Sequence, residues 1–165
     1  MKKILLIFLI ILVLFAVCFL LVIGTRQYIP LIDGVFFGMS PKQAANVLGE
    51  SCEVEYDAGS TGKNAYTYKT DVLGENATVV CYFLNDKKLT QVQIYWETDP
   101  ANLHKQAYTH LYDHYHNNKS FFEKKDETNK EEKHTSIGID NGQTGIFYDI
   151  YETSTSLSIS CVDLS

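Results

Sequence analysis

The densest grouping of metal-competent side chains in this 165-residue chain is His110, Asp113, His114 and His116. His110 and His114 stand four apart, so on a helix both imidazoles project from one face. That is the spacing by which two histidines chelate zinc or copper. The zinc-protease pattern also requires glutamate after the first histidine, and Leu111 stands there. Structural zinc usually takes four ligands, and one helix face offers His110, His114 and at most Asp113. A distant group such as His134, or a second molecule, would have to complete the shell. The leading expectation is no metal and no cofactor, with metal handling by His110, His114 and Asp113 as the alternative.

Other chemistries are poorer in candidates. There is no Gly-x-Ser-x-Gly, and no cysteine stands in a catalytic context. Gly62-Lys63 suggests a phosphate-binding loop, but that motif needs glycine at position 57 and Ser or Thr at 64. The chain has Asp57 and Asn64 there. Cys52, Cys81 and Cys161 show neither CxxC nor zinc spacing. Cys81 and Cys161 fall in alternating strand patterns, which predicts buried structural thiols. The pairing among the three is left open. No catalytic residue emerges, and the chain reads as a non-enzyme.

Charge narrows the partners. Leaving out Lys2 and Lys3, the 14 basic residues become 12 against 20 acidic ones, a formal charge of −8 beyond Thr25. Nucleic acid and anionic lipid both need a basic face, so neither is expected as a ligand of this part. Lysine outnumbers arginine thirteen to one, a bias associated with AT-rich bacterial genomes.

The residues that could position a site divide into an apolar run and an aromatic, acidic remainder. Ile4 to Ile23 is twenty residues without a charge. As a helix it would span roughly 30 Å, the hydrocarbon thickness of a bilayer. Lys2 and Lys3 lead the run, which places the amino terminus in the cytoplasm and the domain outside. Its length favours a retained single-pass anchor in the cell membrane over a cleaved signal, whose apolar region spans roughly 7–15 residues. Cys18 lacks the small preceding residue of a lipidation site and reads as an apolar packing residue. The organisation expected is residues 1–25 as anchor or signal, 26–33 as connector, and 34–165 as one extracytoplasmic domain.

Within that domain, Ser40, Pro41 and Gln43 make a capping box with proline at the first helical position, and Gly49 ends a short helix. Strands follow at Cys52–Asp57, Ala65–Thr70, Ala77–Leu84 and Leu89–Trp96, with a hairpin turn at Asn85-Asp86. In the last of these, Thr90, Val92, Ile94 and Trp96 form the core face, while Gln91 and Gln93 face solvent or a partner. Asp99-Pro100 opens a second helix that runs to about Asn117. Nine of the eleven residues from Glu123 to Lys133 are charged, which predicts a solvated helix extension or loop. Strands at Thr135–Asp140, Gly145–Glu152 and Ser156–Asp163 close the chain. The fold class predicted is α+β: an N-terminal transmembrane helix, then an antiparallel sheet with two helices packed on it.

The stretch Gly38-Met39-Ser40-Pro41-Lys42-Gln43-Ala44-Ala45-Asn46-Val47-Leu48-Gly49 resembles the opening helix of small BamE/SmpA-type envelope lipoproteins. Ala65-Tyr66-Thr67-Tyr68 resembles the aromatic strand of that family, and Cys81 to Thr90 its hairpin. The likeness covers roughly residues 34–94. The same short pattern also resembles that of exported proteins of Gram-positive bacteria and of tandem-repeat inhibitor folds. Such families supply adaptors, assembly factors and inhibitors, which implies a binding scaffold rather than a catalyst. Anchor and resemblance together predict a membrane-anchored extracytoplasmic interaction or assembly module. Its partners would be an envelope or membrane protein, and the lipid bilayer through residues 4–23.

Overall fold

The structure, a computed structural model, describes residues 7–15, 17, 27–49, 52–54, 63–96, 100–126, 133–140, 145–153 and 157–163. From residue 41 onward the order is α1 (Pro41–Leu48), β1 (Cys52–Val54), β2 (Lys63–Val72), β3 (Glu75–Leu84), β4 (Lys88–Trp96), α2 (Pro100–Tyr115), β5 (Phe121–Asp126), β6 (Lys133–Asp140), β7 (Gly145–Glu152) and β8 (Leu157–Asp163). The eight strands form one antiparallel sheet in the order β1-β2-β3-β4-β8-β7-β6-β5. Each half is a helix followed by a four-strand meander. The two halves meet where β4 pairs with β8, with Ile94 opposite Ile159.

Local chemistry explains the elements. The Ser40 hydroxyl accepts from Gln43 N at 3.4 Å and Gln43 Oε1 accepts from Ser40 N at 2.8 Å, completing the capping box. Gly49, at φ +90°, donates back to Ala45 O and stops the helix. The β3–β4 turn carries Asn85 and Asp86 at φ +51° and +53°, left-handed values that asparagine and aspartate tolerate best. Just beyond it lies a β-bulge: Tyr82 pairs with Gln91, Phe83 with Leu89, and Thr90 is the extra residue. The core side chain is therefore Leu89, whereas period-two alternation had placed Thr90 there.

Alternation puts Tyr68, Val79, Cys81, Val92, Ile94, Trp96, Tyr148, Ile150 and Ile159 on one face, all buried beneath the two helices. Ala44 and Leu48 of α1 reach this core, as do Leu103, Ala107, Leu111 and Tyr115 of α2, spaced by four. Ile29, Leu31 and Ile32, from the expected connector, are buried in the same core. The eight-residue α1 is too short to be stable in isolation, and packing on this face holds both helices.

Three expectations are corrected. The charged stretch is not a helix extension: Phe121–Asp126 is β5, paired with β6 along its length. Charge is what an edge strand carries to discourage pairing with another chain, so composition concealed the strand. Second, among the described residues no helix is long and apolar enough to cross a membrane. A span needs about twenty residues. Residues 7–15 and 17 are helical, and the rest of the Ile4–Ile23 run, Cys18 included, lies outside the described residues. The single-pass topology, the cell-membrane location, the bilayer as partner, and the envelope or membrane protein inferred from them lose their basis. Third, the expected membrane-anchored module falls with that segment.

Candidate functional site

The face of the sheet opposite the helices is the part of the molecule whose side chains the core does not use. Register aligns them in rows across β3, β4, β8 and β7. Thr78, Tyr95, Ser158 and Tyr151 form one row. Val80, Gln93, Ser160 and Asp149 form the next, and Tyr82, Gln91, Val162 and Phe147 the third. Tyr95 is exposed and the others are half-buried. Of these twelve positions one is charged, in a chain that is 21% charged. Aromatic rings, amides and hydroxyls fill most of the remainder.

Two polar clusters organise this face. In the first half, the Tyr82 and Tyr95 hydroxyls both donate to Gln93 Oε1, each at 2.7 Å. One amide oxygen thereby holds two phenol groups in place. In the second half, Ser136 Oγ donates to Asp149 Oδ1 at 2.6 Å. His134 Nε2 lies 3.2 Å from the same oxygen and 3.3 Å from the serine hydroxyl. The imidazole stacks on Tyr151 with ring centroids 4.3 Å apart and planes 6° from parallel. Strand pairing assembles the group, since Ser136 is opposite Asp149 and His134 is opposite Tyr151.

Serine, histidine and aspartate invite comparison with a hydrolytic relay. In such a relay the carboxylate orients one imidazole nitrogen while the other takes the serine proton. Here a single nitrogen faces both partners, and the serine proton is directed at the carboxylate. The arrangement orients Asp149; it does not activate Ser136.

The histidines of α2 are placed differently. His110, Asp113 and His114 all lie on its exposed flank. His114 packs edge-on against the Tyr115 ring at 4.6 Å, and partial burial together with the neighbouring His110 lowers its pKa. Among the described residues no group of three or more His, Cys, Asp or Glu side chains can hold a metal ion. The metal-handling alternative is thereby corrected: two imidazoles and a carboxylate on a solvent-facing helix do not converge. His110 instead borders a cleft of about 350 Å³ between the helices, with Leu31, Ile32, Val47, Leu48, Asp33 and Asp71 among its lining. His116 ends a stack of rings with Tyr112 and Tyr108, at 5.0 and 5.9 Å. The Tyr112 ring also meets Phe121 at right angles, ring centroids 5.6 Å apart.

Under α2, His104 Nδ1 lies 2.8 Å from Glu152 Oε2 and ties the helix to the end of β7. Cys81 and Cys161 are buried thiols on either side of Val92 in the register. Cys52 lies in β1.

Of the residues singled out in the sequence, Gln91, Gln93 and His134 lie on the open face. The Ser136–His134–Asp149 group was missed, although His134 and Ser136 stand two apart and must share a strand face. In comparisons with known proteins, no family model, no curated protein and no solved structure matches this chain.

Proposed function

We propose that this chain is a non-catalytic recognition domain that receives a protein surface on the open face of its sheet. The observation that carries the reading is the charge depletion of that face. One of twelve central positions is charged, within a domain of strongly negative formal charge. Solubility alone would favour lysine and glutamate at half-exposed strand positions. Tyrosine, phenylalanine, glutamine and serine there match the centre of a protein–protein contact, where charge is depleted and aromatic rings are enriched. The Gln93 cluster supports the reading further. It pre-orients two tyrosines, which lowers the entropy lost on binding. The resemblance of residues 34–94 to BamE/SmpA-type domains belongs to the same proposal.

The test is site-specific photo-crosslinking in the cells that make the protein. A benzophenone side chain at Tyr95 is expected to capture a defined protein adduct, identified by mass spectrometry. The same group at Lys105, on the outer side of α2, is expected to capture none. Equal labelling from both positions, or none from Tyr95, would refute the reading.

A further inference from the structure

We infer that the partner is a protein surface presenting an arginine or lysine side chain, which docks on Asp149; this rests on the open face being the binding surface. The argument comes from comparing the two halves. Asp149 lies opposite Ser160 in β8, Val80 lies opposite Gln93 in β4, and Gln93 and Ser160 are themselves paired. Val80 and Asp149 therefore flank this pair in one row, Val80 in the first half and Asp149 in the second. The fold is satisfied by valine on the first-half flank, as β-propensity favours. Aspartate is disfavoured within a strand, and half-burying its charge has a cost. Neither helix packing nor sheet pairing requires it.

The surroundings then say what the carboxylate does. Ser136 and His134 both approach Oδ1, which fixes the rotamer and orients the group on the open face. The flanking positions along β7 are aromatic, Phe147 and Tyr151. A carboxylate between rings suits an arginine or lysine, whose charged head pairs with the acid while its stem lies along the rings. The formal charge of −8 beyond Thr25 draws a basic partner in the same sense.

The experiment uses the full chain and a phage library of random peptides as the probe. Peptides selected on the wild type are synthesised with a fluorescent label and titrated by polarisation. The targets are the wild type, Asp149→Asn, Asp149→Val and Tyr95→Ala. Asp149→Val places a β-branched side chain that strand propensity favours, so it guards against a folding defect in Asp149→Asn. The expected result is enrichment of arginine and lysine, with affinity falling roughly tenfold or more in both Asp149 variants. Peptides that lose affinity with Tyr95→Ala but not with either Asp149 variant would overturn the basic-partner inference and leave the open-face reading standing. Peptides indifferent to all three variants would overturn both. Failure to recover any specific peptide would count against the basic-partner inference.

Discussion

Phe122 of β5 and Phe147 of β7 meet across the intervening strand, ring centroids 5.2 Å apart, over Gly138 of β6. Both pair in register with that glycine, and the rings supply the packing that it lacks. A methyl group on Gly138 would clash with the backbone carbonyl oxygen of Ile146 and crowd the Phe122 ring. Gly138→Ala should therefore destabilise the fold by about 1–3 kcal/mol, the usual cost of overpacking. Urea denaturation measures this directly, and an unchanged midpoint would mean that β6 shifts freely.

Val92 and Gln91 are neighbours with opposite environments. Val92 is fully buried between Cys81 and Cys161, whereas Gln91 is half-buried on the open face. Burial of a valine side chain contributes about 1.5–3 kcal/mol, and an aspartate there adds an uncompensated charge. Val92→Asp should abolish cooperative unfolding. Gln91→Asp should shift the melting temperature by a few degrees at most. Circular dichroism melts of the pair decide it.

The buried acids make the fold sensitive to alkali. Burial pushes Cys81 from its ordinary value of 9.0 up to about 12, and Tyr115 from 10.0 to about 12. Burial, reinforced by the nearby Cys161, raises Tyr148 well above 10.0. In each case the folded state holds its proton where the unfolded chain releases it. The stability contributed is full below the ordinary values and is lost as pH rises through the window from 9.0 to about 12. The urea midpoint should decline steadily above pH 9.0, with a shallower slope in Cys81→Ala. A flat profile across that window would refute the assignment.

Lys124 and Lys125 lie on β5, whose outer edge has no strand beside it among the described residues. Lys125 reaches Glu123 at 2.9 Å and lies 5.0 Å from the Tyr108 ring centre, while Tyr108 donates to Glu123 at 3.0 Å. Replacing both lysines with valine leaves a flat, β-prone edge beside Phe121 and Phe122. The double variant should form concentration-dependent oligomers in light scattering. If it elutes and scatters like the parent, charge is not what protects the edge.

Where the chain alternates or caps, its elements were legible. Ser40, Pro41 and Gln43 located α1, and the strand patterns located seven of the eight strands to within a few residues. Asn85-Asp86 located a turn. What escaped were features set by partners distant in sequence. Phe121–Asp126 carries a solvent-like composition because one of its edges is open, and its pairing with β6 is not a local property. Asp149 had no visible significance until β6 and β7 were registered. Counting outward from a two-residue turn at Asn141-Gly142 would have paired it with His134, whereas the observed register places it opposite Ser136. The apolar run from Ile4 illustrates the converse, because composition alone argued for a spanning helix.

The pairing of β4 with β8 has a consequence for how the molecule is made. Every other neighbour in the sheet is also the next strand in sequence, so each hairpin can close as it is synthesised. The seam is different: β4 has one edge open through the translation of α2 and of β5 to β7. During that interval Trp96, Ile94 and Val92 stand beside an unfilled strand position. A nascent first half is therefore the aggregation-prone species, and the arrival of Leu157–Asp163 ends the exposure.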